Sequence, residues 1–333
     1  MSASGTLWST ALRACLHGFE ALGLDSERVR RESGIDESAL ADPDARVPLE
    51  LTGRIWPAAQ AQWRRPGLGL HTGAALPFGE LGVIDYVMAS APTIAEGLLE
   101  LTRVFRVVSQ GATSFDFERA KPRGGAGSLE FTGIFPPEVR DYALGGIAAR
   151  LSQLGARPTA VTFVGPPFDD VDEYHRILGA APRFCQEANA IELDASDLDR
   201  RRTDDRYRGL LPIVGREVER LLSDLSDSTT SAEARRVVAR LLPTGAPELE
   251  TVARAMSVGA RTLQRRLNDE GTSIRALVEA TREELALSYL GSDRLRVAEI
   301  AYMLGYSEPG TFTTAFKRWR GASPSEFRGR RRE

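Results

Sequence analysis

Arg261, Gln264 and Arg265 lie within LETVARAMSVGARTLQRRL (249–267) at a spacing that puts them on one face of a helix, while Leu263 and Leu267 turn to the other. Their donors and acceptors fit the edges of nucleic-acid bases. An arginine forks onto guanine O6 and N7, and a glutamine onto adenine N6 and N7, in a major groove. Thr262 adjoins this set. A second segment, VAEIAYMLGYSEPGTFTTAFKRW (297–319), repeats the layout: a helix there turns Phe312, Ala315, Phe316 and Trp319 inward and Thr311, Thr314, Lys317 and Arg318 outward, with Glu308 and Gly310 at its start. Lys317 and Arg318 suit the anchoring of phosphates rather than the reading of bases.

Positioning these side chains requires a particular set of elements. Each segment opens with a short amphipathic helix carrying a small residue, Ala253 or Ala301, where a crossing helix must come close. Each then turns within about four residues. In the second turn Gly305 takes the left-handed conformation, Ser307 is expected to cap the next helix, Glu308 sits at its positive end, and Pro309 is tolerated among first-turn amides that have no helical partner. In the first turn Ser257 stands where a glycine would be comfortable, and Gly259 takes the cap. Two helix-turn-helix units in tandem result. Between them IRALVEATREELALSYL (274–290) predicts one helix burying Ile274, Leu277, Val278, Leu285, Tyr289 and Leu290. It spans ~25 Å at 1.5 Å per residue. A rod of that length can hold two recognition helices near one duplex turn, ~34 Å, apart. The alternative reading is a six-helix bundle that binds protein.

Composition narrows the rest. A chain of 333 residues predicts two or three domains, and 42% hydrophobic with 27% charged residues excludes global disorder. No apolar run reaches the length of a transmembrane helix, and Arg13, His17 and Glu20 interrupt what would be a signal peptide, so a cytoplasmic location without membrane contact is expected. Cys15 and Cys185 lie far apart, which argues against a disulfide framework or a multi-cysteine metal site and reads both as buried filler. His17, His71 and His175 fall in separate segments, with no HxxxH, GxSxG or phosphate-loop pattern. No enzyme, metal or cofactor is expected. Residues 229–333 hold 18 Lys+Arg against 13 Asp+Glu, a balance of +5, whereas residues 1–228 hold 25 against 33, a balance of −8. An acidic body joined to a basic tail points to an anionic partner for the tail, nucleic acid first.

The Ser/Asp/Thr stretch 223–232 reads as a linker, dividing the chain into 1–222 and 233–333. Before it, apolar periods predict helices over 7–22, 92–108 (with Pro92 in the first turn) and 137–154, a hairpin over 113–133 and a strand over 159–164. The fold class is therefore α+β with an antiparallel sheet, followed by an all-α region with two helix-turn-helix motifs. Leu211, Val214, Val218, Leu221 and Leu222 form a stripe that suits either packing in its own domain or a contact between two subunits.

RTLQRRL, the linking helix and AEIAYMLGYSEPGTFTTAFKRWRGASPSEFR together resemble the DNA-binding domain of AraC/XylS transcription regulators, over about the last hundred residues. The resemblance implies a one-component regulator of double-stranded DNA, with a homodimer and RNA polymerase as candidate partners. It places Arg261, Gln264 and Arg265 on the base- or phosphate-facing side of the first recognition helix, and Gly310, Thr311 and Thr314 on that of the second. Where many relatives read SxFSRAFKRW this chain reads GTFTTAFKRW, so a frequent serine is Gly310 and a frequent arginine is Thr314. The second helix is thereby expected to give phosphate anchoring and apolar contact more than base readout. Upstream, GLGLHTG, GELGVIDYVMASAPTIAEGLLEL, TAVTFVGPP and DEYHRILGAAPRFCQEANAIELD are similar to the arabinose-binding-like N-terminal domain of such regulators. That likeness implies a small-molecule effector, the alternative being an N-terminal domain that only dimerises or meets a protein partner. An effector pocket is expected between the sheet of 113–133 and 159–164 and its covering helices. His71, among glycines that permit close approach, and Arg106 are its expected contacts.

Overall fold

Thr93 accepts a hydrogen bond from the Glu96 amide, and from that cap an apolar stripe of Ile94, Leu98, Leu101 and Val108 runs down one buried face. Local signals of this kind set most of the elements. The computed structural model describes residues 6–110, 113–119, 126–133, 135–167, 170–202, 206–223, 230–290 and 295–330. The chain opens with β1 (Thr6–Trp8), α1 (Ser9–Ala21), α2 (Ser26–Glu32), α3 (Ser38–Ala41), β2 (Arg46–Pro48) and α4 (Leu49–Thr52). Next come α5 (Ile55–Gln62), α6 (Leu68–Ala75), α7 (Val83–Ser90), α8 (Ile94–Val108), β3 (Ser109–Gln110), β4 (Thr113–Arg119) and β5 (Gly127–Gly133). They are followed by α9 (Pro137–Gln153), β6 (Pro158–Thr162), α10 (Val171–Leu178), β7 (Pro182–Arg183), β8 (Ala190–Leu193), α11 (Ala195–Leu198) and α12 (Leu211–Ser223). Helices complete the chain: α13 (Thr230–Leu241), α14 (Leu249–Ala255), α15 (Ala260–Asp269), α16 (Ile274–Leu290), α17 (Val297–Met303), α18 (Pro309–Arg320) and α19 (Pro324–Arg330). No helix among the described residues is long and apolar enough to cross a membrane.

The α+β expectation agrees with this order. Five strands form a sheet in the order β4-β5-β8-β6-β7, antiparallel except where two residues of β6 and β7 pair in parallel; β2, β1 and β3 form a smaller one. Alternation along the strands points Phe115, Leu129, Phe131, Val161, Ile191 and Leu193 into the core. Aromatic rings fill the space under the helices. Phe105 lies 4.6 Å from Phe115, Phe115 4.8 Å from Phe131, and Phe131 4.5 Å from Phe135. These four rings fill the space between β4, β5 and α8.

The glycines of GLGLHTG also have a different role from the expected one. They bring helix α6 into backbone contact with α9: a Cβ at Gly69 would stand 2.3 Å from the Glu138 carbonyl oxygen, and one at Gly73 would stand 2.2 Å from that of Tyr142. Two buried ion pairs surround the crossing. Arg150 Nε donates to Asp85 Oδ1 at 2.7 Å and its other nitrogens reach the Leu76 and Pro77 carbonyls, while Asp85 accepts from the Gly79 amide, so one pair ties down the turn before α7. Arg140 donates to Asp141 at 2.8 Å, and the Tyr174 hydroxyl donates to the other carboxylate oxygen at 2.5 Å. With the charges of these two pairs met by hydrogen bonds, they cost far less than isolated charges would.

Several local expectations shift. Pro92 precedes α8, because Thr93 is the cap. Val214, Val218 and Leu221 of α12 belong to the same buried cluster as the sheet, with Val218 1% exposed, so this part of the stripe packs in its own domain, while Leu211 stays exposed. Cys15 is buried, which pushes its thiol up to about 12, but Cys185 is exposed in a left-handed turn and is no filler. Most of the expected linker, 224–229, and the hairpin loop 120–125 lie outside the described residues.

Replacing Gly73 by alanine should lower stability by about 2 kcal/mol, since overpacking costs ~1 to 3 kcal/mol and helix propensity returns ~1 kcal/mol at most. Gly146→Ala, where a Cβ would meet nothing nearer than 3.6 Å, should be neutral or stabilising. Chemical denaturation of both variants checks the contrast.

Candidate nucleic-acid interface

Apolar side chains after residue 229 collect in a separate buried cluster that includes Val238, Leu242, Val252, Leu263, Leu267, Leu285, Leu304, Phe312 and Phe316. Burying Leu263 and Leu267 fixes the rotation of α15. Arg261, Gln264 and Arg265 are consequently exposed along one side, with Arg266 beside them and Thr262 half-buried. The turn into α15 carries Ser257 at φ +56°, the left-handed position in which an L side chain is strained, and Gly259 caps the helix without a side-chain bond.

The second unit is built more tightly. Gly305 has φ +71°, and a Cβ there would lie 2.0 Å from the Leu242 carbonyl oxygen, so glycine is required both by conformation and by space. Arg282 of α16 donates to the Leu304 and Gly305 carbonyls at 3.0 Å each and lies 4.2 Å from the centre of the Tyr306 ring, pinning the same turn. Glu308, and not Ser307, is the residue that caps α18; its backbone is extended and its side chain makes no cap bond. Phe312 and Phe316 are fully buried, leaving Gly310, Thr311, Thr314, Lys317 and Arg318 exposed. Thr314 donates its hydroxyl to the Gly310 carbonyl at 3.0 Å, which turns its polar atom to its own helix and leaves its methyl for contact.

Helix α16 stands between the two units. Its carboxylates reach both ways: Glu279 meets Arg318 at 2.8 Å, Glu283 meets Arg320 at 2.7 Å, and Glu284 meets Arg235 of α13. An open groove of about 620 Å³ runs between α16 and α18, lined by Glu279, Arg282, Glu308, Thr311, Thr314 and Arg318 among others. Sequence reading missed Glu279, Arg282, Glu283 and Glu284. Their signal was the charged run Arg282, Glu283 and Glu284 within the helix, with Glu279 about one turn before it. Arg318, expected to anchor phosphate, is thus engaged with Glu279 and must exchange that exposed pair to do so, a small cost of less than ~1 kcal/mol.

The two expected effector contacts lie in different surroundings. His71 Nε2 meets Glu173 of α10 at 2.9 Å and its ring sits 5.3 Å from Trp63; burial lowers its pKa, against the pull of Glu173. Arg106 is exposed near the end of α8, close enough to Arg236 of α13 for the like charges to repel. Glu173 and Trp63 surround His71, and Arg236 lies near Arg106.

Ser257→Gly should stabilise the chain by about 0.5 to 1 kcal/mol, because a left-handed L residue costs ~1 to 2 kcal/mol and the added backbone entropy of glycine offsets part of the gain. Thermal unfolding measures it.

Comparison with known proteins agrees with this geometry. Residues 23–201 match the model of the arabinose-binding domain of AraC transcription regulators, N-terminal, and residues 252–330 match a helix-turn-helix domain model. The ornithine utilization regulator of Pseudomonas aeruginosa is 27% identical over 310 residues, covering 91% of this chain and 89% of its own length. The HTH-type transcriptional regulator VirS of Mycobacterium tuberculosis is 28% identical over 313 residues, 92% of each chain. VqsM of Pseudomonas aeruginosa, also an HTH-type transcriptional regulator, is 41% identical over 87 residues, 26% of this chain and 27% of its own. With the N-terminal model spanning more than half of the sequence and two helix-turn-helix units presenting their polar faces behind it, the chain belongs to the AraC family of DNA-binding transcription regulators.

Proposed function

We propose that the chain is a cytoplasmic one-component regulator that reads bases mainly with α15 and anchors itself with α18. The observation that carries this reading is the exposed row Arg261, Gln264 and Arg265 on a helix whose opposite face is locked by Leu263 and Leu267. Side chains held in this way can meet base edges in a major groove, with Thr262 at the edge of the contact. On α18, Gly310 lets the backbone approach, the methyls of Thr311 and Thr314 suit thymine, and Lys317 suits phosphate, with Glu308 and Arg318 flanking them. Pairing of two chains, and contact with RNA polymerase, belong to the same proposal. Apolar side chains left exposed on Leu99 of α8 and on Leu211 and Ile213 of α12 are where a second copy would be sought.

A small-molecule effector acting on the N-terminal domain completes it, with His71 and Arg106 as its proposed contacts. The match of residues 23–201 to an arabinose-binding domain favours this over a domain that only dimerises.

Arg261→Ala and Gln264→Ala should each cost about 1 to 3 kcal/mol on the operator and relax preference at one base position, whereas Lys317→Ala should weaken all sequences alike and reduce the salt slope by ~0.9. Binding-site selection with each variant checks this; unchanged preference in both of the first pair would reverse the assignment. For the effector, metabolites that raise the unfolding temperature of the full chain should lose their control of transcription in His71→Ala or Arg106→Ala while DNA binding persists. Control retained in both variants would place the contacts elsewhere.

A further inference from the structure

Helix α15 presents one more polar side chain beside Arg261 and Gln264. At 3.6 residues per turn, the seven residues from Arg261 to Asn268 bring the helix round to within about 20° of its starting direction. Asn268 therefore stands on the same line as Arg261 and Gln264, at i, i+3 and i+7, and it is exposed like them. Among the described residues its side-chain amide has no hydrogen-bond partner. Asparagine is a poorer helix former than the arginines around it, and neither packing nor a bond within the chain offsets that.

The last turn of a helix is usually the part that frays, yet this one is held from three sides. Leu267 is buried in the core of the C-terminal helices. Gly271, at φ +72°, closes the helix: its amide donates to the Asn268 carbonyl and the Thr272 amide to the Leu267 carbonyl, each at 2.9 Å. Glu270 reaches from the end of α15 to the start of α13, its two carboxylate oxygens accepting from the Thr230 amide at 2.7 Å and the Ser231 amide at 2.8 Å. Asn268 thus projects from a fixed backbone, and its direction is set as firmly as that of Gln264.

The charge around it selects what it can meet. Asp269 and Glu270 follow directly, both exposed, and they add to the negative pole of the helix end, so phosphate is not attracted there. A neutral carboxamide suits a base edge instead. Its oxygen accepts from adenine N6 while its nitrogen donates to N7.

We propose that Asn268 is a further specificity-determining residue of α15, reading an adenine in the major groove. Four residues of helix, ~6 Å, separate it from Gln264, which corresponds to ~2 base steps of 3.4 Å. Helix α15 then lies along the groove over ~10 Å, from Arg261 to Asn268, instead of entering it by its first turn alone. The proposal rests on the reading of α15 as the base-reading helix and extends its site at the far end.

Binding-site selection with the full chain, its Asn268→Ala and Asn268→Asp variants, and Gln264→Ala as reference tests it. The parent should select an adenine ~2 base pairs from the position that Gln264→Ala relaxes. Asn268→Ala should lose that preference and bind the selected operator about tenfold more weakly, with affinity for unrelated duplex DNA unchanged. Its unfolding temperature should equal or exceed the parent's, since alanine favours the helix at this exposed position. Asn268→Asp keeps the shape but can only accept, so its preference should move from adenine to cytosine, whose N4 donates. Preference retained in Asn268→Ala, or affinity lost equally on all sequences, would overturn the proposal while a relaxed Gln264→Ala leaves the reading of α15 in place. Unchanged preference in Gln264→Ala as well would overturn that reading and the proposal with it.

Discussion

Helix α16 is gripped from two sides, and the placement of both recognition helices depends on that grip. One side buries Ile274, Leu277, Val278, Leu285 and Leu290 in the core that also holds Leu263 and Phe312. The other side sends Glu279 and Glu283 to α18 and Glu284 to α13, while Arg282 fixes the turn that launches α18. The apolar burial supplies most of the energy, since exposed ion pairs contribute under ~1 kcal/mol each. The rotation of α18 is set by the burial of Phe312 and Phe316, and the exposed pairs Glu279–Arg318 and Glu283–Arg320 add to its contact with α16. A recognition helix needs both, because a base contact is lost when the helix carrying it turns by a fraction of its circumference.

In the N-terminal domain the comparable constraint is the approach of α6 to α9. Gly69 and Gly73 admit backbone contact that no side chain could, and the buried pairs Arg150–Asp85 and Arg140–Asp141 lie beside it. Helix α9 then runs under the sheet and presents Arg140 at a cavity facing Tyr289. Helix α6, which carries His71, packs on α9, and α9 lines that cavity together with Leu285, Tyr289 and Met303 of the C-terminal helices.

How much of this was legible in the sequence depended on what each signal specifies. Helical periodicity with caps fixed the two helix-turn-helix units and their outward residues, because a 3.6-residue period determines which side chains share a face. Periodicity says that a face is buried and not against what, which is why the stripe Val214, Val218 and Leu221 was open between a subunit contact and the domain's own core. Small residues likewise announce close approach without naming the neighbour; in GLGLHTG the neighbour is α9. The cap of α18 could have been read correctly. Pro309 forces the residue before it out of the helical region, so Glu308 had to be the extended cap ahead of Ser307.

The central claim is that two recognition helices, held by α16, meet successive major grooves on one side of a duplex. Hydroxyl-radical and methylation footprinting of the full chain on its selected operator tests it most directly. One chain should protect two major-groove segments about one helical turn, ~10 base pairs, apart on the same face, with the stronger base protection where Arg261 and Gln264 dock. A single protected segment, or two on opposite faces, would contradict it.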